Sequence, residues 1–201
     1  MGIGRRLILA STSSYRRELL GRLRLPFEVR SPGVDENPLA GEAPRALALR
    51  LALAKAEAVA GAEPDAVVIG ADQVAELDGR ALGKPGTHER ATEQLRAMRG
   101  RSVVFHTAVA VVCRADDLKL VELVPVTVRL RRASDAEIEH YLRAEQPYDC
   151  AGSAKVETLG IALLDGVDSD DPTALVGLPL IRTCAMLRRA GIEPLASPST
   201  P

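Results

Sequence analysis

The chain has 201 residues, 46% of them hydrophobic and 26% charged, with a formal net charge of -1 at pH 7. That length suffices for a sizeable core in one domain, and the charge balance argues against a long nucleic-acid track or an anionic-membrane surface. No segment approaches the ~20 apolar positions of a membrane span, and Leu7-Ile8-Leu9-Ala10 is too short for a secretory leader.

A cytoplasmic protein follows, with residues 1–195 as a single domain and 196–201 as a disordered tail rich in serine and proline. Cys113, Cys150 and Cys184 are odd in number and widely spaced, with neither a CxxC pair nor zinc-ligand spacing, so they read as buried reduced thiols. In chain order, Leu7 to Ala10 reads as a strand and Ser11 to Ser14 as a polar turn. Tyr15 to Leu23 then forms a helix with Leu19, Leu20 and Leu23 on its apolar face. Phe27 to Val29 is a short strand before a loop at Gly33, and Pro44 opens a helix to about Ala60. On that helix Leu47, Leu51, Ala54 and Ala58 share one face and Lys55 lies on its flank.

The β-branched run Ala66 to Ala71 reads as a buried strand closing in Gly70, which puts Asp72 at its carboxyl end. Leu77-Asp78-Gly79-Arg80 is a hairpin turn, and Glu89 to Met98 a helix stopped by Gly100. Strands follow over Val103 to Phe105, His106 to Cys113 and Val121 to Leu130, the last two paired around Asp116-Asp117. Ser134 and Glu137 form a capping box for the next helix. A turn and strand run through Gly152 to Leu164, and Leu178 to Ala190 is a final helix ended by Gly191. This alternation predicts an α/β protein with a curved central mixed sheet flanked by helices.

Four polar segments carry the candidate chemistry. Ser11 to Arg17 lies between a strand and a helix, where backbone N–H groups and the helix dipole favour an anion. Arg16 and Arg17 would add charge-assisted contacts, although an ordinary capped helix has the same composition. Neither a GxxxxGK[ST] loop nor a GxSxG elbow is present, so a serine nucleophile is not expected. Asp35-Glu36 suits a solvated acidic loop, the usual role of adjacent carboxylates, or, paired with Asp72 across a cleft, a ligand set for a divalent cation. Gly83-Lys84-Pro85 places a lysine in a restrained turn, suited to phosphate or to solvent. His88, His106 and His140 join no triad or metal motif and read as solvated or satisfied structural residues.

Taken in order, Leu7 to Ser13 with Arg16-Arg17, Val34-Asp35-Glu36, Leu53 to Ala56, Ile69 to Val74, Gly83-Lys84-Pro85, Tyr148 to Ser153 and Val176 to Pro179 closely resemble the Maf family of nucleoside triphosphate pyrophosphatases. The resemblance covers nearly the whole chain before the tail. It implies two lobes with a deep cleft, a homodimer, and hydrolysis between the α- and β-phosphates of a non-standard nucleotide with Mg²⁺ or Mn²⁺. Asp72 matches the family's proton acceptor, and Ser11, Arg16, Arg17, Glu36, Lys55 and Lys84 its phosphate- and metal-handling cleft. Glu36 and Asp72 are the expected cation ligands.

Gln73 after the aspartate, and Glu157, resemble the branch acting on 7-methyl-GTP. Tyr15, Gln73 and Glu157 match positions linked to base choice, Tyr15 standing where tryptophan is frequent. A cationic methylated base suits an aromatic face and a carboxylate. The alternatives are a dTTP/UTP pyrophosphatase and, after the family's historical name, a septum-formation inhibitor acting through a binding partner.

Overall fold

The computed structural model describes residues 5–196, so the expected tail falls almost wholly outside the described part. Its elements are β1 (Leu7–Ala10), α1 (Ser14–Gly21), β2 (Glu28–Arg30), α2 (Pro44–Ala62), β3 (Val67–Leu77), β4 (Arg80–Leu82), α3 (His88–Met98), β5 (Ser102–Cys113), β6 (Leu118–Leu130), α4 (Asp135–Glu145), β7 (Leu164–Asp168) and α5 (Leu180–Arg189). Seven strands form one mixed sheet in the order β2-β1-β3-β5-β6-β7, with β4 beside the far end of β3. β1 runs parallel to β2 and β3, whereas β3, β5, β6 and β7 are successively antiparallel.

Local signals set most of these elements. Leu77 pairs with Arg80 around Asp78 and Gly79, both at positive φ, as a two-residue hairpin between right-twisted strands requires. Ser134 Oγ accepts from the Glu137 amide and Glu137 Oε2 accepts from the Ser134 amide, completing the capping box. Thr87 caps α3, and Gly100 at φ +68° follows its end.

Three expectations are corrected. The strand before Asp72 does not stop there but continues as β3 to Leu77, because β5 pairs with it from Val68 to Glu76. The two runs expected around Phe105 are one uninterrupted strand, β5, paired with β6 along its whole length. Gly152 to Leu164 is not a strand: Gly152 and Ser153 both have positive φ, which a strand cannot propagate, and 3-10 turns occupy Ala151–Ser153 and Leu159–Leu163 before β7 begins.

The core has two ends. Around β1 and the first half of β3, α1 and α5 cover one sheet face through Leu19, Leu20, Met186 and Leu187, and α2 covers the other. Around the second half of β3, α3 and α4 pack through Leu95, Met98, Ile138 and Leu142. On one edge of β3, β1 ends at Gly70 and β4 begins only at Ala75, so Ala71 to Val74 have no strand neighbour on that side. This gap between the two ends of the core leaves room for a cleft.

The face of α2 that is buried carries Leu47, Ala48, Leu51, Ala52, Lys55, Ala56, Val59 and Ala60. Ala54 and Ala58 lie off that stripe, Ala58 fully exposed, so Lys55 stands within the buried face rather than on its flank. Small residues allow α2 to approach the sheet closely. A Cβ on Gly70 would fall 2.2 Å from the Ala52 carbonyl oxygen and 2.6 Å from the Ala56 nitrogen. Gly70→Ala is therefore expected to destabilise the protein by about 3 kcal/mol, because backbone rather than a flexible side chain must yield. Thermal melting should show Tm lower by roughly 6–12 °C; an unchanged Tm would contradict the close approach.

Candidate active site

A cleft of about 660 Å³ opens at the unpaired stretch of β3. One wall comes from the β1–α1 turn, the loop before α2 and α2 itself; the opposite wall comes from the β4–α3 loop and the 149–157 segment. Ser11, Tyr15, Arg16, Glu36, Lys55, Asp72, Gln73, Lys84 and Glu157 all line it. Arg17 does not: it is exposed one position further round α1 than Arg16 and stays outside the lining. Asp35 likewise faces away, its carboxylate accepting from the amide and Nδ2 of Asn37 in a local turn.

At the centre, Lys55 Nζ lies 2.7 Å from Asp72 Oδ1 and 2.7 Å from Glu36 Oε1. The lysine reaches this point because Gly70 lets α2 approach β3 one residue pair away from Asp72 on the same strand face. The carboxylates differ in surroundings: the Asp72 side chain is 9% exposed and the Glu36 side chain 55%. Burial drives the Asp72 pKa above the usual carboxylate range, outweighing the pull of the Lys55 and Arg16 charges. At Glu36 burial acts in the same direction, but the Lys55 hydrogen bond and the Lys55, Lys84 and Arg16 charges prevail and hold the group below its ordinary value. Two carboxylates on one ammonium are thereby set apart, Asp72 as the better proton acceptor and Glu36 as the more firmly ionised anion.

The serine turn presents a helix N-terminus to the same space. Ser13 caps α1 by accepting from the Arg16 amide, and Ser11 Oγ accepts from the Ser13 amide at 3.1 Å. Arg16 Nε donates to the Gly177 carbonyl at 2.9 Å, which fixes the guanidinium plane at the cleft wall. Lys84, exposed in the loop after β4, supplies a second positive charge from the other wall.

At the 149–157 end, Tyr15 is half-buried with the Lys155 ammonium nearby, and its phenol is pushed up by burial. The Cys150 thiol is pushed up to about 12 by burial and by Asp149 and Glu157, so it stays protonated and is no nucleophile. All three cysteines are free, but Cys113 alone among them is fully buried, which corrects the expectation for Cys150 and Cys184. None of the histidines lines the cleft. His88 bridges Tyr148 and Glu139, His140 is exposed, and buried His106 meets Glu76 through Nε2 while its Nδ1 has no partner.

Hard oxygen donors at Asp72 and Glu36 suit Mg²⁺ or Mn²⁺, which one or two carboxylates hold when phosphate oxygens complete the shell. Among the described residues no group of three or more His, Cys, Asp or Glu forms a closed cage. The arrangement fits a cation shared with a phosphorylated ligand. Thr107 and the carbonyls of Ala174 and Leu175, which meet the Gln73 amide, were not foreseen. The one sequence signal for Thr107 is a hydroxyl inside the apolar run of β5.

Lys55→Met removes the counter-charge from a buried carboxylate and is expected to cost about 3–5 kcal/mol at neutral pH. A raised folded-state pKa means the folded chain binds Asp72's proton more readily than the unfolded one, so stability falls as pH rises from the ordinary carboxylate value through the raised one. The variant's deficit should accordingly shrink on acidification within that window, as read by denaturant melts at several pH values.

Comparison with known proteins places the whole described fold among relatives. The family model described as "Maf-like protein" matches residues 6–190. A "7-methyl-GTP pyrophosphatase" of Albidiferax ferrireducens is 66% identical over 195 residues, covering 97% of this chain and 98% of the relative. Proteins of the same name from Polaromonas sp. and Bordetella pertussis are 68% identical over 188 residues and 60% identical over 191. The first alignment covers 94% of this chain and 86% of the relative; the second covers 94% of each.

Proposed function

This chain belongs to the Maf family, and on that premise we propose that it hydrolyses a nucleoside triphosphate, 7-methyl-GTP before others, to the monophosphate and pyrophosphate. The observation that carries the proposal is the Lys55-bridged Asp72–Glu36 pair at the bottom of a cleft that also holds Arg16 and Lys84. Such a site balances phosphate charge and offers one proton acceptor, which is what phosphoryl transfer to water asks of a protein.

Arg16, Lys84 and the amides of the Ser11–Ser14 turn bind the phosphate oxygens, and Lys55 guides them toward the two carboxylates. Asp72 orients the attacking water and takes its proton as the new P–O bond forms. Pyrophosphate leaves with the electron pair of the broken anhydride bond. Glu36 and Asp72 would hold a divalent cation, which supplies charge neutralisation and Lewis acidity when bound.

Tyr15, Gln73 and Glu157 meet at the base end of the cleft in this reading. The aromatic face and the Glu157 and Asp149 carboxylates suit the positive charge of a 7-methylated guanine. A homodimer, a cytoplasmic location and the absence of a nucleic-acid partner belong to the same proposal. The last is supported by the near-zero net charge, and among the described residues no helix is long and apolar enough to cross a membrane.

Pyrophosphate release with Mg²⁺ from 7-methyl-GTP, GTP, dTTP, UTP, CTP and ATP tests it. The expected result is a preference for 7-methyl-GTP, with Asp72→Asn lowering kcat by about 10²- to 10⁴-fold. Preference for dTTP or UTP would overturn the base assignment and keep the reaction; release from none would overturn both. Because Asp72 accepts a proton only when ionised, kcat/KM should fall on the acid side, and the residual activity of Asp72→Asn should lack that limb. An acid limb unchanged in Asp72→Asn would contradict Asp72 as the acceptor.

A further inference from the structure

We propose that Asp171 is a positioning residue for base selection, holding the loop before α5 so that Gln73 presents only its carbonyl oxygen to the cleft. The proposal rests on the reading of the cleft as a nucleotide site. Asp171 has no exposed surface and no cationic partner among the described residues. Its charge is met by donors instead. Oδ2 accepts from the amides of Ile181 at 2.7 Å and Arg182 at 3.3 Å, in the first turn of α5. Oδ1 accepts from the Thr173 amide at 3.1 Å and the Thr173 hydroxyl at 2.8 Å. A carboxylate at a helix N-terminus is favoured by the helix dipole, and α5 is itself fixed in the core by Met186 and Leu187. Asp171 thus ties the loop to a rigid helix.

Three carbonyls of that loop hold cleft side chains. Gly177 accepts from Arg16 Nε at 2.9 Å, and Ala174 and Leu175 each lie 3.0 Å from Gln73 Nε2. Thr107, directly opposite Gln73 in the β3–β5 ladder, donates its hydroxyl proton to the Ala174 carbonyl at 2.9 Å. With that single proton committed, Thr107 Oγ1 accepts from Gln73 Nε2 at 2.9 Å. Every neighbour of this end of the amide is therefore an acceptor, and turning the amide over would set Oε1 against two carbonyls and a lone pair. Gln73 Oε1 has no partner among the described residues and belongs to the cleft wall. It accepts a hydrogen bond from a base edge that carries N–H groups, as the N1–H and amino group of a guanine do. Without the Asp171 anchor the loop carbonyls shift, the amide turns freely, and that discrimination is lost.

The test uses the full chain with Asp171→Asn, and Thr173→Val as a second variant that keeps the carboxylate and removes the loop hydroxyl it accepts from. Two readouts are taken: the hydrogen exchange of the Gln73 side-chain amide by NMR, identified by its disappearance in Gln73→Leu, and kcat and KM for 7-methyl-GTP and purine riboside triphosphate, whose base carries no N–H. In the unsubstituted protein the Gln73 amide protons should exchange slowly, and in both variants they should exchange like solvent-exposed amides. The kcat/KM ratio of 7-methyl-GTP over purine riboside triphosphate should fall by about tenfold or more, carried by KM, with kcat within about threefold. A Gln73 amide that stays protected in Asp171→Asn, or one that is released without loss of the ratio, overturns the proposal. If Asp171→Asn does not fold, Thr173→Val decides it on the same two readouts. A protein that turns over no nucleotide overturns the functional reading instead, and the amide exchange alone then decides whether Asp171 positions Gln73.

Discussion

The ammonium of Lys55 is held between Asp72 and Glu36 at 2.7 Å from each, almost out of water, and much of the molecule is arranged to make that possible. A buried cation is tolerated only when its charge is met at close range. Meeting it here requires α2 to lie against β3 with nothing larger than alanine or glycine between the backbones. It also requires β3 to run on past Gly70, so that Asp72 leaves the shelter of β1 while β5 still supports it. The loop before α2 then brings Glu36 to the open side of the same ammonium.

From that one contact the division of labour in the cleft follows. The acid inside is made harder to ionise by burial, and the acid at the rim easier by the surrounding cations. In the proposed reaction, one lysine and two carboxylates thus serve as proton acceptor and cation site without any unusual residue type. Positive charge comes to the cleft from both walls, Arg16 on one side and Lys84 on the other.

The base end is built differently. There the chain uses neutral hydrogen bonds in sequence, from Gln73 to Thr107 to the Ala174 carbonyl, and anchors the accepting loop through a buried carboxylate at a helix N-terminus. A hydrogen bond of fixed polarity distinguishes bases by penalising the wrong edge, whereas the charged end binds any triphosphate.

By itself the sequence determined most of the element types, the hairpin at Asp78-Gly79, the capping box at Ser134, and which polar segments line the cleft, since these depend on periodicity, turn geometry and capping over a few residues. The family-level resemblance placed Ser11, Tyr15, Arg16, Glu36, Lys55, Asp72, Gln73, Lys84 and Glu157 in one cleft, where they stand. Tertiary structure decided the rest. Whether Arg16 or Arg17 turns inward depends on how α1 sits on the sheet, and Lys55 falls inside the buried stripe because Asp72, distant in sequence, waits opposite it. The extent of β3 is set by pairing with β5, and the positive φ at Gly152 and Ser153 belongs to a loop shaped by its neighbours. Thr107 and Asp171 gain their roles only from carbonyls and amides that other segments bring to them. Burial, pairing and the direction of a hydrogen bond are properties of the assembled chain, and no local stretch contains them.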